Sequence, residues 1–334
     1  MEQRLLGKSG LKVSAVGLGC NNFGMLIDAA QTKAVVDKAI DIGITLFDTA
    51  DIYGNAGKSE EFLGQTLGAR RKDVLIATKF GNAMGKGFLE QGGASRLYIM
   101  AAVEASLRRL GTDYIDLYQI HKPDGVTPTD ETLRALDDLV RQGKVRYIGH
   151  SNFEGWRTVE AAWISKTQNL TPYISAQNHY SLLSRGIEAE LVPACENYGV
   201  GILPFFPLES GLLTGKYKRG EKPPEGTRYA AWASRGPMVN RFFGDDRFAT
   251  VDKLTELAAS AGASMLDMAI GWLLSKPYVG SVIAGATKPE QLDANAKAAA
   301  WRPTLEIDDK IDEITPPPPL APSAPPRPKK RIMA

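Results

Sequence analysis

Histidine and cysteine are scarce in this chain, with three and two among 334 residues. Cys20 and Cys195 give neither a disulfide framework nor a zinc spacing, and point to a reducing compartment. Three histidines are too few for a metal site, so His150 and His179 are expected to pack or to face a helix, and no metal is expected. Charge of one sign is also lacking: 40 Lys and Arg stand against 38 Asp and Glu. Arg327, Lys329, Lys330 and Arg331 fall in the acid-free stretch 316–334, which leaves the body near neutral and without a basic face for nucleic acid. No apolar run reaches the roughly 20 residues that span a bilayer. The first residues lack the basic-then-apolar pattern of a signal peptide. A cytoplasmic protein with no nucleic-acid or membrane partner is expected, its oligomeric state open. No G-x-G-x-x-G follows a strand, so the common dinucleotide fingerprint is missing as well.

What is present is rhythm. A short hairpin, QRLL and KVSAV around GKSG, precedes about eight strand-then-helix units. They run from VSAVGLG and AAQTKAVVDKAIDIG, through TLFD and SEEFLGQTLG, to VGSVIAG and KPEQLDANAKAAA. Ser59 reads as a helix N-cap, and Gly43 and Gly68 as stops. Such alternation predicts a parallel sheet closed into a (β/α)8 barrel, with a doubly wound open sheet as the alternative. The barrel domain is expected over 1–315, with the hairpin plugging one end. Residues 316–334 hold eight of the 20 prolines and are expected to be a disordered tail. Residues 206–247 form a long Gly-, Pro-, Arg- and aromatic-rich connection, the kind that binds or covers a ligand.

Barrel enzymes place their chemistry at the C-terminal strand ends. Here those ends carry Asp48, Lys79 and His121, with Tyr53 five residues beyond Asp48; then come Ser151 with Asn152, and Gln177. An acid, a phenol, a lysine and a histidine together suggest proton transfer. A buried Lys⁺ lowers the pKa of a neighbouring tyrosine, a carboxylate keeps that lysine charged, and a neutral histidine orients a carbonyl oxygen. Ser151, Asn152 and Gln177 suit the carboxamide of a nicotinamide ring. Gly285, Thr287 and Lys288 sit where a helix begins, and free N–H groups there bind phosphate. Lys288 would favour the extra phosphate of NADPH. Phe23, Phe80 and Trp232, with Tyr229, Phe242 and Phe243, suggest an apolar substrate pocket.

Several segments, in order, are similar to those of the aldo-keto reductase family: "GKSGLKVSAVGLG", "FDTADIYGNAGKSEEFLG", "IATKFG", "YIDLYQIHKPD", "IGHSNF", "AQNHYSLLSR", "PLESGLLTGKY" and "GATKPEQLDAN". The resemblance covers roughly residues 1–314. It implies that Asp48, Tyr53, Lys79 and His121 are the catalytic four, with Tyr53 as proton donor, and that Ser151, Asn152 and Gln177 hold the nicotinamide amide. It further implies Phe205 as the ring-stacking residue, where a tyrosine is usual. By the same resemblance Leu208, Ser210, Gly211, Leu212 and Lys216 lie on the diphosphate side, and Gly285, Thr287, Lys288, Gln291 and Asn295 at the adenosine phosphate. "FFPL" replaces the common Tyr-Ser-Pro-Leu, and Gln291 stands where some members have arginine. The expected activity is NADPH-dependent reduction of small aldehydes or ketones. The alternative is an NADPH-binding regulatory or redox-sensing subunit with little turnover.

Overall fold

Strands covered on both faces are apolar along nearly their whole length. Strand β6 (Ile115–Ile120) is covered on both faces, all six residues buried, with Asp116 and Gln119 the polar exceptions. The computed structural model describes residues 1–84, 91–225, 227, 229, 230 and 243–319. Strands β1 (Gln3–Leu5) and β2 (Lys12–Ser14) pair antiparallel as the hairpin. There follow β3 (Val16–Gly19), α1 (Ala29–Asp41), β4 (Leu46–Asp48), α2 (Tyr53–Leu67), β5 (Leu75–Phe80), α3 (Arg96–Leu110) and then β6. The chain continues through α4 (Thr129–Arg141), β7 (Val145–Ser151), α5 (Gly155–Gln168), β8 (Tyr173–His179), α6 (Leu191–Tyr198) and β9 (Gly201–Phe205). It ends with α7 (Asp245–Ser260), α8 (Met265–Leu274), β10 (Val282–Gly285), α9 (Pro289–Ala298) and α10 (Leu305–Ile314).

The eight parallel strands lie in the order β10, β3, β4, β5, β6, β7, β8, β9. Ile202 closes the ring by donating to the Tyr278 carbonyl at 2.7 Å and accepting from Gly280 N–H at 2.9 Å. This is the (β/α)8 barrel rather than the open sheet. Helix α10 is an addition to the expected elements. Its amphipathic face buries Ile311 against the cluster that holds α7 and α8, and Thr304 caps it through Ile307 N–H. The tail expected from residue 316 lies, beyond residue 319, outside the described residues. Among the described residues no single helix is long and apolar enough to cross a membrane.

Alternation along each strand fixes what faces the barrel axis. Leu46, Ala77, Leu117, Leu203 and Ile283 form one inward layer, and Leu6 from the hairpin packs against them as the plug. Their neighbours Phe47, Ile76 and Tyr118 join the separate core shared with the helices. Two residues further along each strand, the inward layer becomes Asp48, Lys79, Gln119 and Gln177, each almost wholly buried. The plug needs glycine: Gly7 has φ +60, and a Cβ there would stand 2.3 Å from the Gly199 carbonyl oxygen.

Candidate active site

The polar layer is an ordered set of hydrogen bonds. Lys79, 0% exposed, donates to Asp48 Oδ2 at 2.7 Å, to the Thr49 carbonyl at 2.9 Å and to the Tyr53 hydroxyl at 3.5 Å. Gln177 Nε2 donates to the other Asp48 oxygen at 2.7 Å, and Gln119 Nε2 approaches the same oxygen at 3.4 Å. A lysine this deep stays charged only if its partner outweighs the loss of water. Burial pulls the Lys79 pKa down, but Asp48 and Tyr53 reverse that and leave it raised.

Tyr53 reaches Lys79 because the chain after β4 turns tightly, with Tyr53 N–H on the Ala50 carbonyl at 3.1 Å. Residues 54–57 then run left-handed, with φ of 67, 58, 66 and 119. Gly57 lies against Arg109, whose Cδ would stand 2.5 Å from any Cβ there. Arg109 Nε in turn donates to buried Glu60 at 2.7 Å. Ser59 is not a cap: its hydroxyl donates to the Cys20 carbonyl and pairs with Thr49, both at 2.8 Å, tying the turn to β3. Burial raises the Tyr53 pKa, and Lys79 only partly offsets it. The expectation of a lowered tyrosine pKa is therefore corrected, because desolvation of the phenolate outweighs the attraction of one cation already shared with Asp48.

His121 stands edge-on to Tyr53, ring centroids 5.7 Å apart. Burial, then the neighbouring positive charge of Lys79, pushes it down to about 3, so it is neutral at ordinary pH. Its carbonyl accepts from Asn152 Nδ2 at 2.9 Å, and Asn152 takes a left-handed φ of 59. Ser151 donates to the Gln177 carbonyl at 2.7 Å. Asp48, Tyr53, Lys79, His121, Ser151, Asn152 and Gln177 thus meet in one mouth. His150 points the other way, stacked on Phe153 at 4.5 Å and facing Thr158 of α5. Among the described residues no group of three His, Cys, Asp or Glu side chains is placed to hold a metal ion.

Two loops flank this mouth. After β9, Phe205 stacks on His179 with ring centroids 5.6 Å apart. The turn beyond it is left-handed at Phe206, Glu209, Ser210 and Gly211. Buried Glu209 pins it, accepting from His179, Ser181 and Arg247. Against the upward push of burial, those donors hold the Glu209 carboxyl below the usual range. Leu212 is wholly buried, Leu208 half-buried, and Lys216 lies exposed over Gly211 and the Tyr217 ring. After β10, Thr287 and Lys288 do not offer free N–H groups as expected, because Gln291 Oε1 accepts from both, at 2.7 and 3.3 Å. Gly285 lets Asn21 and Asn22 approach to 3.3 Å of its Cβ position, and Asn295 is buried in the following helix. The Ser210 hydroxyl is buried without a partner, and exposed Lys216 and Lys288 form no ion pair among the described residues. An orphan hydroxyl and two spare cations on neighbouring loops fit a phosphate-bearing dinucleotide.

The pocket residues fare differently. Phe23 and Phe80 are each 0% exposed in the core between barrel and helices, Phe80 against Tyr118 at 4.8 Å. They support the loops from behind and present no wall to a substrate, which corrects their assignment to the pocket. Trp232 and Phe242 lie outside the described residues, while Tyr229 stacks on Phe243 at 3.9 Å.

Asp51, Gln119, Asn82 and Glu209 belong to the site's framework and were not anticipated. Asp51 is 1% exposed, and neither oxygen has a hydrogen-bond partner among the described residues. The nearby Tyr98 hydroxyl is spent on the Asn82 carbonyl. Burial, then repulsion from Glu60, pushes the Asp51 carboxyl up to about 8. The folded state therefore holds a proton that the unfolded chain releases near pH 4, so this residue's stabilising effect is lost as pH rises from about 4 to 8. Asp51→Asn should consequently gain on wild type by on the order of 5 kcal/mol at pH 8 and by much less at pH 4. Urea unfolding at the two pH values checks this; an equal difference at both would refute a buried neutral carboxyl.

The chain matches the model of the "Aldo/keto reductase family" over residues 15–315. It is 36% identical to the L-glyceraldehyde 3-phosphate reductase of Escherichia coli (strain K12), across 89% of this chain and 87% of that one. It is 34% identical to the versiconal hemiacetal acetate reductase of Aspergillus parasiticus, across 94% and 96%. It is also 37% identical, across 94% and 96%, to a protein of Oryza sativa subsp. japonica named as a probable voltage-gated potassium channel subunit beta.

Proposed function

Because the chain belongs to the aldo/keto reductase family, we propose that it reduces aldehydes and ketones to alcohols with NADPH, Tyr53 giving the proton. The observation that carries this reading is the Tyr53–Lys79–Asp48 chain beside a neutral His121. When bound, the nicotinamide supplies a hydride to the carbonyl carbon. Tyr53 gives its hydroxyl proton to the oxygen as negative charge gathers there. Lys79 steadies the phenolate left behind, and Asp48 keeps Lys79 charged and aimed. His121, uncharged, donates a hydrogen bond that holds the carbonyl oxygen toward Tyr53. Ser151, Asn152 and Gln177 would hold the carboxamide and Phe205 the ring. The 208–216 loop would hold the diphosphate, and Lys288 would read the extra phosphate that separates NADPH from NADH.

The test is loss of reduced-cofactor absorbance with 4-nitrobenzaldehyde, run with NADPH and with NADH. Faster loss with NADPH supports the reading. The match to a protein named as a potassium channel subunit favours a second reading, a nicotinamide-binding regulatory subunit. Tight NADPH binding with negligible turnover on every aldehyde, and a stable partner in pulldown, would favour that one.

The pH profile follows from the two shifts. Tyr53 must be protonated to donate, and burial holds its pKa above the ordinary value, so the rate falls only at high pH. His121 must be neutral, and at about 3 it stays so through the acid range. kcat should therefore be level between about pH 5 and 9. A fall centred near pH 6.5, the ordinary histidine value, would show His121 titrating and would sink its neutral role.

A further inference from the structure

His121 Nδ1 lies 2.9 Å from Asn82 Nδ2. An amide nitrogen only donates, so the imidazole nitrogen facing it must accept. A neutral imidazole carries one proton, and with Nδ1 accepting that proton sits on Nε2. The contact is built rather than incidental. Asn82 follows directly from β5 and Gly81, whose carbonyl accepts from Gly93 N–H at 2.9 Å. The Asn82 carbonyl accepts the Tyr98 hydroxyl of α3. The His121 backbone is fixed on both sides, its N–H donating to the Phe80 carbonyl at 2.8 Å and its carbonyl accepting from Asn152. The ring can therefore neither slide nor turn without breaking the Asn82 bond.

We propose that Asn82 is a positioning residue that sets the His121 tautomer, so that Nε2–H is the donor offered to the substrate's carbonyl oxygen. The opposite tautomer would turn a lone pair toward that oxygen and repel it. This role of Nε2–H rests on the reductase reading, whereas the tautomer itself does not.

The experiment is ¹⁵N NMR of the ring nitrogens in the full chain. His121 is identified among the three histidines by the loss of its signals in His121→Gln. In the wild type, Nε2 should show the shift of a protonated nitrogen and Nδ1 that of an unprotonated one. Asn82→Asp replaces the donor by an acceptor of the same shape and should place a proton on Nδ1. Asn82→Ala should release the ring and leave a tautomer mixture. Both variants should lose about 10²-fold in kcat/KM, the scale of one lost oxyanion donor, with NADPH affinity unchanged. A wild-type Nδ1 that already carries the proton overturns the proposal without recourse to any variant. So does an active Asn82→Asp enzyme whose shifts or turnover do not change. Expected shifts in a wild type that turns over no aldehyde would support the tautomer assignment and count against the reductase reading alone.

Discussion

Tyr53→Phe should lower turnover by about 10²- to 10⁴-fold, the range general acid catalysis supplies, and leave NADPH binding within twofold. The expectation is sharp because so little else changes. The ring keeps its edge contact with His121, and the Lys79–Asp48 pair, 2.7 Å apart, does not involve the hydroxyl. What disappears is a 3.5 Å contact and a proton. Titrating NADPH fluorescence separates binding from chemistry, and absorbance loss with 4-nitrobenzaldehyde reads the chemistry. Undiminished turnover in the variant would mean that another group protonates the oxygen, and the proposed mechanism would fall.

Lys79→Met should cost stability as well as activity. The side chain is wholly enclosed, and removing its charge deprives buried Asp48 of its ion-pair partner, leaving the two glutamine amides as its side-chain donors among the described residues. Breaking one half of such a buried pair costs about 3–5 kcal/mol, whereas replacing both halves costs far less. The double variant Asp48→Asn/Lys79→Met should therefore recover most of the lost stability and none of the turnover. Urea unfolding of wild type, single and double variants decides it. A single variant as stable as wild type would show that Asp48 tolerates isolation, and the account of why lysine sits there would be wrong.

The barrel was legible because short, largely apolar strands alternate regularly with helical patterns, and the polar residues near each strand's end recur unit after unit. Period-two alternation then explains why Asp48, Lys79 and Gln177 share an inward layer. The same alternation hides whatever depends on register. Phe80 follows Lys79 directly and so points away from the mouth, yet aromatic character alone suggested a pocket. Ser59 sat at a convincing cap position, but the left-handed turn at 54–57 places its hydroxyl on Cys20 instead. The attraction of Lys79 for a tyrosinate was foreseeable, whereas the larger effect of burial required the packed site. Asn82 meets His121 from 39 residues away, a pairing that no local pattern encodes.

The barrel's ladder is thinnest where it closes. Among the described residues β9 meets β10's side of the ring through Ile202 and the 278–280 segment, whereas the other neighbouring strands pair directly, with one register shift, between Ile148 and Gly149 of β7. β9 runs into the 206–214 turn and β10 into the turn at 285–288, the two loops that flank the mouth. A dinucleotide held by both loops would act as a staple across that seam. Occupancy and ring closure would then be one coupled equilibrium, with the free energy of binding partly invested in holding the cylinder shut.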